Sequence, residues 1–246
     1  MKVDDKNLLS AAASRLVKDV EDRIETSPGD RAALRRSLGR SPQDVLSHPA
    51  IAIVARHVPE PLVPTDKVRG TRGISLVEAE SVERAFYAVA ALIAAQPRQS
   101  PQDEAEQDDT EHDGSNEQEG ESDVSGAADD AEERPEAPAQ PSLGTTLALA
   151  VAAPRSPLRH DTIEARLHLL CRQRLDGLHR QLPRLIAQLR VTRVPVDWPR
   201  LVVDLARWGT ESDLVAKRWL QDYYRTYFRL TATADKSEPT DPSEDQ

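Results

Sequence analysis

The tightest constraint on this chain is a stretch that cannot contribute to a core. Residues 97–142 carry sixteen Asp and Glu against two Arg, with no aromatic and almost no aliphatic side chain. Such a segment cannot bury enough apolar surface to offset the entropy of ordering its backbone, so it is expected to be disordered. Residues 231–246 are a shorter acidic stretch of the same kind, expected to form a disordered tail. The folded part is then an N-terminal helical lobe over 1–96 and a C-terminal helical bundle over 143–230.

This division changes the meaning of the charge. The formal net charge is −10, but the acidic segment alone contributes −14 and the tail −4. The part that folds therefore carries about +8, although the whole-chain pI of about 5.2 reads as acidic. Residues 155–229 hold fifteen Arg and Lys against eight Asp and Glu. A basic folded surface attracts polyanions through counterion release, whatever the base sequence.

A single cysteine, Cys171, excludes an internal disulfide and a cysteine-based zinc site. The first ten residues, MKVDDKNLLS, contain no hydrophobic signal core. The longest apolar run, 147–153, is far short of the about 20 residues that span a bilayer. These features predict a soluble, cytoplasmic protein with no membrane partner.

Helical periodicity dominates and strand alternation is nearly absent, which predicts an all-α fold of about nine helices. Leu8, Leu9, Ala12, Leu16, Val17, Val20 and Ile24 recur at the three-and-four spacing of one helix face. Ser27-Pro28 opens a second helix near 30–38, and His48-Pro49 another to about 57. Ser75 and Glu78 form a capping box for a helix over 76–95. Beyond the acidic stretch, helices are predicted from Ser142 to about 152, over 161–174, from a cap at Asp176 through a kink at Pro183, over 198–208 from a cap at Asp197, and from Thr210 to about 230.

The basic residues cluster. Arg31, Arg35 and Arg36 lie on the second helix, with Arg31 and Arg35 one turn apart. Arg166 and Arg172 stand apart from the apolar stripe of their helix, as do Arg180 and Arg184 on the next. That these are arginines rather than lysines suits bidentate phosphate contacts. The competing reading is that each is part of a plain solvated face.

At these positions the sequence resembles a known family. Arg31-Ala-Ala-Leu-Arg-Arg36, Ser142-Leu-Gly-Thr-Thr-Leu147, Glu164-Ala-Arg-Leu-His-Leu-Leu-Cys-Arg172, the leucine-rich helix over 178–189, Val196-Asp-Trp-Pro199, Asp204-Leu-Ala-Arg-Trp-Gly209 and Trp219-Leu-Gln-Asp-Tyr223 follow one another in that order. In that order they resemble the CasB family, the small subunit of type I-E CRISPR Cascade complexes, over about 30–96 and 142–229. Some relatives carry arginine where this chain has Thr145. The acidic stretch and the tail have no counterpart in the pattern. The resemblance implies a non-catalytic subunit without a cofactor or a small-molecule substrate. Its implied partners are crRNA, target and non-target DNA, the backbone and large subunits of the complex, and a second copy of itself. In such machines base pairing reads sequence and protein grips backbones, which stabilises the R-loop in antiviral defence.

Two other function classes compete with this one. His160-Asp161 has the look of a metal phosphohydrolase dipeptide, but only His168 and His179 lie nearby as further ligands, and Asp161 is explained as a helix cap. A plain protein–protein adaptor with basic faces is the other. Cys171, set among leucines, reads as a small buried hydrophobe. Trp198, Trp208 and Trp219 read as packing residues. For the acidic stretch, a tolerated surface insertion and a polyanion that competes with phosphates both stay open.

Overall fold

The computed structural model describes residues 3–59, 76–97 and 141–235. The expectations for the loop over 60–75, the capping serine Ser75, the acidic segment over 98–140 and the end of the tail fall outside them. Among the described residues the fold is all-α, with no strand. The helices are α1 (Val3–Thr26), α2 (Pro28–Arg36), α3 (His48–Val54), α4 (Leu76–Ala94), α5 (Leu143–Ala152), α6 (His160–Cys171), α7 (Leu175–Leu189), α8 (Trp198–Ala206) and α9 (Trp208–Asp235). Glu211 leaves helical geometry (φ −131°, ψ 31°), so a short turn precedes the long straight part of α9.

The helix starts follow local chemistry. Ser27 caps α2 by accepting from the Asp30 amide at 3.2 Å, with Pro28 pre-set in the first turn. Asp197 caps α8 by accepting from the Arg200 amide at 2.8 Å. Asp161 and Asp176 are corrections. Helix α6 begins at His160, one residue earlier than predicted, and α7 at Leu175, two residues before the start that a cap at Asp176 implies, and their N-caps Arg159 and Arg174 make no side-chain cap bond. Both aspartates lie inside the first turn, where a carboxylate complements the helix dipole.

The core sits around α4. Ala85, Phe86, Val89, Ala90, Leu92 and Ile93 are each 2% exposed or less. A helix apolar on most of its circumference must be surrounded, and α1, α2, α8 and α9 pack against α4. The faces they present are apolar at helical spacing: Leu9, Ala12, Ala13, Leu16, Val17 and Val20 on α1, Leu201, Val202 and Leu205 on α8. Leu8 departs from the predicted stripe and is 68% exposed. The described residues on either side of the acidic segment form one compact unit, so the N-terminal lobe and the C-terminal bundle share a single core.

Three polar devices fix the packing. Asp19 on α1 accepts from Arg56 and His57 beyond α3 and from Arg23. Partial burial opposes its charge, yet the bonds from Arg56 and His57 and the Arg23 charge hold its carboxyl at about 2. Asp204, 1% exposed, accepts from Trp219 Nε1 at 2.7 Å, Arg218 at 2.7 Å and Arg200 at 3.2 Å, locking α8 to α9. Gly144 lets α5 lie on α9 backbone to backbone. A Cβ there would fall 1.9 Å from the Trp219 carbonyl oxygen.

Candidate nucleic-acid interface

Two groups stand out among the described arginines. Arg23, Arg40, Arg56, Arg84, Arg200, Arg207 and Arg218 are ion-paired within the fold. Arg35, Arg36, Arg166, Arg172, Arg180 and Arg184 are exposed, and none pairs with a carboxylate among the described residues. An arginine without a local carboxylate keeps its full fork of donors for an incoming anion.

Arg31 is placed differently. It is half-buried, and its guanidinium donates to the Ala94 carbonyl at 3.2 Å and to the Gln96 carbonyl. It satisfies carbonyls left over at the C-terminus of α4 and holds α2 against that end. By doing so it positions the last turn of α2, where Arg35 and Arg36 project outward.

The loop that follows the basic end of α2 packs against α7 at a seam. After α2 the chain turns through Gly39, at φ 73°, and lies against Pro183 and the His179 carbonyl of α7. Arg36 and Arg40 flank Gly39 in the chain, while Arg180 and Arg184 flank Pro183 on the helix. Asp176, one turn before Arg180, is taken up by Arg84 of α4 at 2.5 Å. The Arg84 guanidinium holds the Asp176 carboxyl below its ordinary range. Arg180 makes no close ion pair with that carboxylate, which lies four residues away on its own helix face, although its charge still acts on it.

A second basic surface lies between α6 and α9. Arg172, at the C-cap of α6, borders an open groove whose far wall includes Lys217 and Arg225. Sequence reasoning missed these two cations. The available signal was the spacing of Leu214, Lys217, Gln221, Arg225 and Phe228, one stripe of a long helix. Cys171 also borders the groove, half-buried against the core, and burial pushes its thiol up to about 12. A thiol with that ionisation is inert as a nucleophile near neutrality.

Around the His160-Asp161 pair, His160, Asp161 and Glu164 bring potential ligand atoms within 4.8 Å, all from one helix turn. His160 is committed to packing. Its ring stacks on Tyr227 at 4.0 Å, and its Nδ1 lies 2.9 Å from the Tyr223 hydroxyl. His168 bonds the Tyr224 hydroxyl at 2.9 Å instead of turning toward this cluster. His179 is buried in α7. The histidines named with the hydrolase reading do not converge.

Comparison with known proteins adds the following. The model of a family described as CRISPR-associated protein Cse2 (CRISPR_cse2) matches residues 30–224. The chain is similar to a solved chain of a CRISPR RNA-guided surveillance complex, at 37% identity, 92% coverage of this chain, 99% of that chain and a TM-score of 0.64. It is likewise similar to a chain of a CRISPR RNA-guided surveillance complex described as pre-nicking, at 39% identity, 92% and 98% coverage and a TM-score of 0.66. The crystal structure of M. ruber CasB shares the fold at 18% identity, covering 93% of this chain and 98% of that one with a TM-score of 0.55. No curated protein sequence matches the chain.

Proposed function

The chain belongs to the CRISPR-associated protein Cse2 family, and from that premise we propose that it is a non-catalytic strand-holding subunit of a type I-E Cascade effector complex. In this reading it grips the backbones of the crRNA–target heteroduplex and of the displaced strand, and stabilises the R-loop. Its partners are the backbone and large subunits and a second copy of itself.

The observation that carries the reading is the division of the arginines. Those used by the fold are paired with carboxylates or, for Arg31, with the carbonyls of Ala94 and Gln96. Those on α6, on α7 and in the last turn of α2 are exposed and unpaired among the described residues. No base-reading pattern is needed for such a role. The heteroduplex is about as stable as the duplex it replaces, so sequence-independent backbone contacts decide whether the R-loop persists. Arg35, Arg36, Arg180 and Arg184 form the seam contact, and Arg166 and Arg172 a second one. Arg31 serves as a positioning residue for the first.

The test is reconstitution. The tagged chain, expressed with the neighbouring subunits and a guide, should co-purify with RNA and support R-loop formation on a matched target. The quadruple variant R35A/R36A/R180A/R184A should assemble normally and form shorter-lived R-loops. Wild-type lifetimes in that variant would refute the seam assignment. Failure of the wild-type chain to enter a guide-bearing complex would refute the reading as a whole.

A further inference from the structure

The groove between α6 and α9 has a volume of about 610 Å³, inside the range of sites that hold small molecules. Its charged lining is Arg172, Lys217 and Arg225 against the single carboxylate of Asp213. None of the three cations is ion-paired among the described residues. Charge alone describes an anion site of low selectivity.

The aromatic residues beside the groove narrow the choice. The chain contains two phenylalanines. Phe86 is fully buried, whereas Phe228 is 60% exposed. The Phe228 ring stacks on Tyr224, with centroids 6.0 Å apart and planes 16° from parallel. The Tyr224 hydroxyl is held by His168 and Glu164 of α6, so the ring that supports Phe228 is itself anchored. Phe228 therefore presents a supported aromatic face to water within a turn of Arg225.

Cations that track phosphates beside an aromatic ring that receives a base are how proteins hold single strands without reading them. A duplex keeps its bases stacked on each other and offers none to such a ring. An acidic peptide would satisfy the cations and leave the aromatic face unused. We infer that this groove takes an unpaired nucleotide of a single strand, its phosphates on Arg172, Lys217 and Arg225 and its base on the outer face of Phe228. The inference rests on the strand-holding role proposed above and adds selectivity for unpaired nucleic acid.

The experiment uses the full chain, titrated into a fluorescent oligothymidylate of about fifteen residues. A strand of equal length with abasic sites throughout supplies the same phosphates without bases. Stacking predicts that base removal weakens wild-type binding about fivefold or more. F228A should lose about the same factor on oligothymidylate and no longer distinguish the two strands. F228L, which keeps apolar surface without a ring, should behave like F228A, and F228W should restore the difference. K217A/R225A should lose affinity for both strands equally. Circular dichroism unchanged from wild type confirms that each variant is folded, as expected for exposed positions.

Three results overturn the inference. Equal wild-type affinity for both strands, with a normal salt dependence, removes the base contact while leaving the strand-holding role intact. So does a wild-type preference for bases that persists in F228A. Displacement of oligothymidylate by polyglutamate as effectively as by unlabelled oligothymidylate would assign the groove to acidic peptides instead. Loss of the strand-holding role itself has a different signature, which is wild-type protein that binds neither strand.

Discussion

Gly39 adopts a φ of 73° against Pro183, where a Cβ would lie 3.9 Å from the proline ring and 4.0 Å from the His179 carbonyl oxygen. Proline has no amide hydrogen, so the His179 carbonyl four residues earlier loses its helical donor. The turn after α2 packs over that position. The contact joins the loop after α2 to the middle of α7, although more than 140 residues of sequence separate them. A gap in the hydrogen-bond ladder of one helix thus marks where the loop after another docks.

The two glycines at close approaches should respond differently to alanine. Gly39 has ordinary van der Waals room for a methyl, so G39A bears chiefly the left-handed backbone penalty, about 1 kcal/mol. That corresponds to a fall of about 2–4 °C in Tm for a chain of this size. G144A forces a methyl into the Trp219 backbone, which cannot swing aside as a side chain would. A loss of about 3 kcal/mol or more is expected. Thermal melts followed by circular dichroism check the order, and a more stable G144A would contradict the α5–α9 contact.

Asp204 is the most consequential single carboxylate. Its removal strands three donors at once, from Trp219, Arg218 and Arg200. D204A should cost about 3–5 kcal/mol, the range for breaking a buried charge pair and leaving a partner uncompensated. Urea unfolding of the purified chain measures it. D204N keeps the shape and an acceptor but loses the charge, and should fall between D204A and wild type.

Stability should also decline on mild acidification because of His179. Burial, aided by the charge of Arg84, lowers its pKa from the ordinary 6.5 to about 4. The folded protein keeps this ring neutral while the unfolded chain protonates it. Stability is therefore full above pH 6.5, falls as pH drops toward 4, and stops changing below that on account of this group. The loss is on the order of 3 kcal/mol, within a window that the acidic residues only begin to enter. H179L should flatten the decline between pH 6.5 and 4.5 in chemical denaturation. An equal slope in wild type and H179L would assign the acid sensitivity elsewhere.

The architecture was legible because it is local in origin. The apolar spacing of α1, the Ser27-Pro28 start and the Asp197 cap are decided within one or two turns, and the structure has each of them. Asp161 and Asp176 look like caps in sequence, yet lie inside the first turn, because an aspartate serves equally well there. The site was legible only in part, because exposure can be read from one helix but pairing cannot. Nothing near Arg31 in sequence shows that its donors go to Ala94 and Gln96, more than 60 residues away. Nor does the Asp176–Arg180 spacing show that the close ion pair of Asp176 is with Arg84. Lys217, Arg225 and Phe228 lie on a helix whose opposite face dominates the apolar pattern, which hides the exposed stripe.

The division between paired and unpaired arginines should appear directly in the salt dependence of binding. Five exposed residues, Arg35, Arg36, Arg166, Arg172 and Arg184, each able to neutralise one phosphate, imply a slope of roughly −3.5 for log affinity against log salt on single strands. Between 50 and 200 mM salt that amounts to about a hundredfold loss of affinity. Replacing all five with alanine should flatten the slope, leaving the part that Arg180, Lys217 and Arg225 supply, while the helical signal stays unchanged, since none of the five is buried. R23A is the informative contrast. Arg23 pairs with Asp19 and Asp30 inside the N-terminal lobe, so its loss should lower Tm and leave the slope alone. A slope left unchanged by the five substitutions, or one that R23A flattens just as much, would show that the contacts lie elsewhere on the basic body.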